Sequence, residues 1–371
     1  MPRPFLIALC LPLVPFHAAA APVAPIEDET RVAAPEVADR AAARLDALEE
    51  QHSKLQMALV ERLHAATTDA ERAAVPDYNL APWAEIKPRV VLASEEFAGT
   101  PGAVPFLLWT VGASVRTREH DEAIAAMNTL LVDHASDGRV VRVAGVLHRY
   151  TRTLGVEQAL ELAGAFEEAV EDRGAKAAFG LARIRVRRPE GEALPAALAA
   201  LVARYPGTHA ARQAAGWKFE VERLQVGMTV PDVVGTTLDG EGFRLSDHRG
   251  KVVVLEFWAV NCGPCLQKMP RSAERVRRLA GSPFLHVGIR SCNAAPEAVR
   301  KRTEERGVNW PILTDRATDG GSFGPLGTQW NLSGWPTAFL IDHEGVIRSN
   351  WATEDVLERM LPELLDRAKD R

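Results

Sequence analysis

The sequence predicts an all-helical N-terminal domain followed by an α/β domain built on a central sheet. Three observations predict it. At about 150 residues per domain, 371 residues are too many for one. Apolar residues keep helical spacing from Glu36 to Leu224, and after Val226 the chain switches to turn residues, short strands and intervening helices. Hydrophobic residues at 47% and charged residues at 25% are ordinary for a soluble globular protein, which argues against wholesale disorder, collagen-like repeats and a polytopic membrane protein. Lys and Arg total 44 against 49 Asp and Glu, a net charge of -5, so no cationic excess exists to hold nucleic acid or an anionic membrane surface. Four cysteines are too few for a disulfide scaffold, so their positions carry the information.

Residues 1–21 combine Arg3, an apolar run from Phe5 to Phe16 and the small-residue site Ala18-x-Ala20. This reads as a cleavable secretory signal. The apolar run contains Pro12 and Pro15 and falls short of the about 20 residues a bilayer span needs, so membrane contact is expected only through an uncleaved signal. Cys10 sits mid-run behind Leu9, which does not fit a lipidation site. Removal of the signal leaves Cys262, Cys265 and Cys292 in an exported, periplasmic or otherwise extracytoplasmic compartment.

Residues 30–225 form the expected helical domain. Val37 to His64 places Ala41, Leu45, Leu48, Leu55, Ala58, Leu59 and Leu63 on roughly one face, and further helices are expected over Glu119–His134, Arg139–Thr153, Val156–Arg173 and Leu194–Arg204. One echo stands out: Phe97-Ala98-Gly99-Thr100-x-x-Ala103 recurs as Tyr205-Pro206-Gly207-Thr208-x-x-Ala211, each with a Gly-Thr helix start. Three helix-turn-helix units of about 34 residues would fill the interval, a hint of a tetratricopeptide-like or other helical-repeat array; two similar helix starts arising by chance are the competing explanation.

The boundary is expected at 225–228, with residues 226–371 as the second domain. Strands are expected at Val252–Trp258, Phe284–Ile289, Pro311–Thr314, Thr337–Ile341 and Val346–Asn350, and helices near Cys262–Ala280, Ala295–Arg306 and Glu354–Lys369. The apolar run at 252–258 followed directly by a helix start is the pattern of a central, covered strand.

Cys262-Gly263-Pro264-Cys265 opens that helix. Free amides and the positive end of the helix dipole stabilise a thiolate at Cys262, making it the attacking sulfur. Cys265, one turn on, is placed to resolve a mixed disulfide formed there. A structural disulfide and half a zinc site are the alternatives. No second Cys-x-x-Cys or histidine cluster completes a metal site, and Leu266 stands where covalent haem attachment requires His, so no metal or cofactor is expected. The strand-then-helix setting favours dithiol redox chemistry.

The block Gly250-Lys251 through Glu256-Phe257-Trp258-Ala259-x-x-Cys262-Gly263-Pro264-Cys265, Pro270 in the helix and the distal Gly334-Trp335-Pro336-Thr337 run to Asp342 together resemble exported thioredoxin-fold proteins of the TlpA and ResA type. The resemblance covers about Val226 to Leu365 and none of the helical half. It implies a thioredoxin-like domain with a central mixed sheet. The segment from Phe284 to Thr314 resembles the insertion that distinguishes this branch. By the same resemblance Pro336 is the cis-proline facing the cysteine pair, leaving the backbone of Trp335 free to pair with a substrate chain. Glu256 matches the buried acid under the resolving cysteine; burial should raise its pKa and suit it to accept the Cys265 proton, the alternative being a strand-edge Glu open to solvent. Trp258 packs beside the site or is ordinary core. Asn261 departs from the family, which usually places Trp before the first cysteine; the departure bears on partner choice more than on the reaction.

Cys292 is expected near the same sheet edge, as an inert buried thiol or, alternatively, a third redox thiol or an intermolecular disulfide site. The resulting expectation is an exported thiol-disulfide oxidoreductase that reduces protein disulfides and is recharged by an unknown electron donor. Two alternatives stand beside it. One is a peroxiredoxin-like peroxidase, since redoxin domains share the Pro231-Asp232 start and the Gly240 to Gly250 lead-in, though no Thr and supporting Arg are evident around Asn261-Cys262. The other is an interaction protein whose helical half binds a protein partner and whose redox module is an accessory.

Overall fold

In the computed structural model a five-stranded sheet of order β5-β4-β3-β6-β7 organises the C-terminal half, and eleven α-helices precede it among the described residues. The structure describes residues 34–77, 80–117, 120–316 and 323–369, so the secretory signal expected at 1–21 lies outside them.

The helical half runs α1 (Ala34–Ala65), α2 (Asp69–Ala73), α3 (Ala81–Glu96), α4 (Val104–Thr117), α5 (His120–His134), α6 (Arg142–Val146), α7 (Thr151–Leu154), α8 (Val156–Ala169), α9 (Arg173–Arg187), α10 (Ala193–Arg204) and α11 (His209–Arg223). Sequence neighbours pack on each other, α3 on α4, α4 on α5, α8 on α9 and α10 on α11. Ala41 and Leu48 of the α1 stripe are buried, whereas Ala58 is exposed.

Two helix expectations need correction. Arg139–Thr153 is not one helix: 3-10 turns at Gly138–Val141 and Leu147–Tyr150 alternate with α6 and α7. Four valines and Gly145 lower its helix propensity, and burial of Val140, Val143, Leu147 and Tyr150 holds it in place instead. The helix expected to reach Arg173 stops at Ala169, because Val170 is extended and Asp172 starts α9 by accepting the Ala175 N–H at 2.7 Å. The Gly-Thr echo is a shared local structure. Gly99 and Gly207 both have positive φ, at 71° and 79°, and Thr100 and Thr208 both donate to the carbonyl of the preceding aromatic residue. Thr208 also caps α11 directly, accepting the Ala211 N–H at 3.2 Å.

The second half adds a short antiparallel pair, β1 (Val234–Thr236) and β2 (Gly242–Arg244), before β3 (Val252–Trp258), α12 (Gly263–Arg278), β4 (Phe284–Arg290), α13 (Pro296–Glu304), β5 (Ile312–Thr314), α14 (Pro325–Gln329), β6 (Thr337–Ile341), β7 (Ile347–Ser349) and α15 (Glu354–Lys369). β4 and β5 run parallel to β3, while β6 and β7 are antiparallel, so the sheet is mixed. β4 pairs with β3 over its full length, so the first strand of the segment resembling an insertion is a core strand; α13 and β5 build outward from it. All seven residues of β3 are buried. Val253, Leu255 and Phe257 enter one apolar cluster and Val252, Val254 and Trp258 enter clusters on the other face, so β3 is covered on both faces.

The two halves meet at α11. Leu224, fully buried, belongs to the same apolar cluster as Trp330, Phe339 and Ile347 of the C-terminal half, and Phe219 packs against it.

Candidate functional site

The end of β3 and the start of α12 put Cys262 and Cys265 side by side. They form a disulfide with Cα atoms 5.2 Å apart, and are 8% and 2% exposed. Cys262 is the N-cap of α12, with Gly263 and Pro264 in the first turn, and its sulfur accepts the Cys265 N–H at 3.1 Å. That amide and the helix dipole would favour a negative charge on Cys262 once the bond is reduced. Gly263, Pro264 and Asn261 are exposed around the pair, so its approach is from the side of the first turn.

The Trp335–Pro336 peptide bond is cis, the isomer that the resemblance implied. Pro336 and Trp335 floor a cleft of about 760 Å³ whose walls are Pro264, Gln267, Lys268 and Arg271 of α12 and the Trp351–Glu354 segment. Trp351 is 59% exposed there. Trp335 touches the apolar clusters on both faces of the sheet and packs on Phe323, with ring centroids 4.8 Å apart. Trp258 is buried in the cluster that holds both cysteines, beside Gly288, where an added Cβ would lie 3.2 Å from the Trp258 indole nitrogen and 3.1 Å from that of Trp310.

Glu256 requires a correction. It lies on β3 between Gly288 and Ala338, buried, but it is not a high-pKa acid. Burial pushes its pKa up; the hydrogen bond from His286 and the charge of Lys268 outweigh that and hold it at about 2. Lys268 Nζ is 3.1 Å from Oε1 and His286 Nε2 is 3.1 Å from Oε2. An ionised carboxylate only accepts, so Nε2 carries the hydrogen. At neutral pH Glu256 is therefore a charged anchor with little basicity, and the proton-accepting role expected for it loses its physical basis. Lys268 also faces Glu354 at 3.5 Å, and Glu354 pairs with buried Arg275, so an ion-pair network runs from β3 through α12 to α15.

Lys268 and His286 went unread in the sequence. Lys268 stands three residues after Cys265, on the same helix face, and His286 interrupts the apolar run from Phe284 to Ile289; both were available signals. Asp315 was also missed. Buried at the end of β5, it accepts from Ser291 Oγ and from the Leu326 and Gly327 amides at 2.7, 2.9 and 2.8 Å, fastening the start of α14. Cys292 is a free, buried thiol in the same apolar cluster as Cys262 and Cys265. Among the described residues no group of three or more His, Cys, Asp or Glu is placed to hold a metal ion.

The Redoxin family pattern matches residues 225–361. The thiol-disulfide oxidoreductase ResA of Geobacillus kaustophilus is 34% identical over 148 residues, which is 38% of this chain and 79% of that relative. The chain belongs to the ResA-type thiol-disulfide oxidoreductases. The thioredoxin-like protein YneN of Bacillus subtilis is 31% identical over 34% of this chain and 70% of its own length. Among solved structures, a putative protein disulfide isomerase from Bacteroides thetaiotaomicron is 27% identical over 39% of this chain and 93% of its own, with a TM-score of 0.34. Like the family match, these alignments span well under half of the chain, so membership of the ResA type describes the redox half alone.

Proposed function

We propose that this oxidoreductase is exported and reduces protein disulfides through Cys262 and Cys265. The observation that carries the reading is the Cys262–Cys265 disulfide at the N-terminus of α12, its first sulfur receiving a backbone N–H, beside an open cleft floored by a cis-proline. In the reduced enzyme the Cys262 thiolate attacks one sulfur of a substrate disulfide. The substrate S–S bond breaks, a mixed disulfide forms, and the second substrate sulfur departs as a thiolate. The Cys265 thiol loses its proton to that thiolate or to water in the cleft and attacks Cys262 Sγ. The mixed disulfide breaks, the Cys262–Cys265 bond forms, and the substrate leaves with two electrons gained. A dithiol donor in the same compartment returns the two electrons.

Pro336 and the Trp335 backbone line the cleft and are the surfaces a substrate chain would meet first; Trp258 and the Glu256–Lys268 pair hold the helix that carries both sulfurs. Export is inferred from the leader-like residues 1–21. The peroxidase alternative is less favoured: the buried arginine at this edge, Arg290, donates to the carbonyls of Cys292 and Ala294 at 3.0 and 2.7 Å. A Cys265→Ser variant tests the proposal. It should accumulate a mixed disulfide at Cys262 with a protein substrate, and Cys262→Ser should abolish reduction. A Cys265→Ser protein that captures no disulfide-containing protein from extracytoplasmic extract refutes it.

A further inference from the structure

The helical half reaches the substrate-receiving loop. α11 lies against α14 so closely that a Cβ at Gly216 would sit 2.2 Å from the Thr328 carbonyl oxygen. One residue past Trp330 the chain turns through Asn331, at φ 54°, one of two non-glycine residues with positive φ among the described residues. The Asn331 side-chain amide donates to Glu220 Oε2 of α11 at 2.6 Å. Five residues later comes cis-Pro336. The Leu332 amide donates back to the Gly327 carbonyl at 3.0 Å and, one residue past Pro336, Thr337 Oγ1 donates to the Gly334 carbonyl at 2.9 Å, so the loop is short and tied at both ends. Asn350, beside exposed Trp351, donates to the Leu224 carbonyl at 3.4 Å. Ser333 and Trp351 line both the large cleft and a small cavity against Glu220 and Leu224, so the concave surface continues from the cis-proline to α11.

We propose that α11 is part of the redox apparatus: Glu220, acting through Asn331, is a positioning residue that holds the Asn331–Pro336 loop in the conformation that receives a polypeptide substrate. The proposal rests on the protein-disulfide reading above for what the loop receives. The physical argument is local. Asn331 occupies a conformation that an L side chain adopts at a cost, and the bond to a carboxylate offsets that cost while fixing where the loop leaves α14. Trp335 and Pro336 inherit that placement through five residues with little slack. A small disulfide needs only an accessible Cys262, whereas a polypeptide must also lie along the loop, so the two substrate sizes separate the roles.

The test uses the full chain carrying Glu220→Ala, Asn331→Gly or Glu220→Gln. Glycine keeps the left-handed backbone and removes only the tether, and glutamine keeps an acceptor. Reduction of a small aromatic disulfide, 5,5′-dithiobis(2-nitrobenzoate), should stay within about twofold of wild type in all three, while KM for insulin reduction rises about tenfold in Glu220→Ala and Asn331→Gly, the size expected for losing a hydrogen bond to a charged group. Glu220→Gln should restore insulin KM to within about twofold, and the Glu220→Ala/Asn331→Gly double variant should be no worse than either single change, because both delete one bond. Amide exchange at Leu332 should quicken in Glu220→Ala and return in Glu220→Gln. An unchanged insulin KM, or an equal fall with both substrates, overturns the proposal. If the wild type reduces no insulin at all, the protein-disulfide reading fails, and exchange at Leu332 still decides whether Glu220 positions the loop.

Discussion

Lys268→Met tests the charge state of Glu256. The variant keeps the length of the stem and removes one of the two groups that hold the buried carboxylate. A folded pKa of about 2 against the ordinary 4.5 corresponds to about 3 kcal/mol of stability at neutral pH, at about 1.4 kcal/mol per unit. The sign follows from the depression: the contribution is full above pH about 4.5 and is lost as pH falls towards 2. Removing the lysine leaves His286 alone against a buried charge, so at pH 7 the variant should lose about 3 kcal/mol, the low end for breaking a buried pair. For a domain of this size that is a fall in Tm of about 6–12 °C. Thermal unfolding of the oxidised protein at pH 7 and pH 4 is the assay. The deficit should shrink at pH 4, because the variant's carboxyl, its pKa raised, protonates there and sheds its charge. A variant as stable as wild type at pH 7, or a deficit identical at both pH values, refutes the reasoning.

Three further outcomes follow from the geometry. Gly288→Ala should destabilise by about 1–3 kcal/mol in chemical denaturation, since its Cβ would fall 2.6 Å from Ile312 Cδ1 and against two indole nitrogens. In the reduced enzyme, iodoacetamide should modify Cys262 with a midpoint below the free-cysteine value of about 8.5, because the Cys265 amide and helix dipole favour its thiolate; a midpoint at or above that value contradicts the N-cap argument. Denatured without reduction after mild oxidation, a chain lacking residues 1–21 should take up one alkylating group, at Cys292, and a chain retaining Cys10 should take up two; loss of the Cys292 label would mean that it pairs oxidatively.

The redox half was legible because its signals are local. An apolar β-branched run, a helix start and two cysteines one turn apart lie within 14 residues of sequence, 252–265, and strand β3 occupies 252–258 as expected. The short β1–β2 pair and five-residue α14 escaped the reading, since neither is long enough to show a period. Helix Arg139–Thr153 was overextended for the opposite reason: its apolar spacing is helical while its four valines and Gly145 wind it as alternating turns.

Glu256 shows where sequence stops. A carboxyl in an apolar strand is predicted to be a raised-pKa acid, because burial is the one influence that the run itself reveals. Lys268 and His286 arrive from α12 and β4, and their joint position against the two carboxylate oxygens reverses the sign. The contact of Glu220 with Asn331 spans 111 residues and has no local signature at either end. The sequence by itself determined the dithiol, its helix start and the family of the redox half, since these depend on neighbours along the chain. Only the tertiary structure decided the charge of Glu256 and joined the helical half to the cis-proline loop, because electrostatics and packing depend on distance in space.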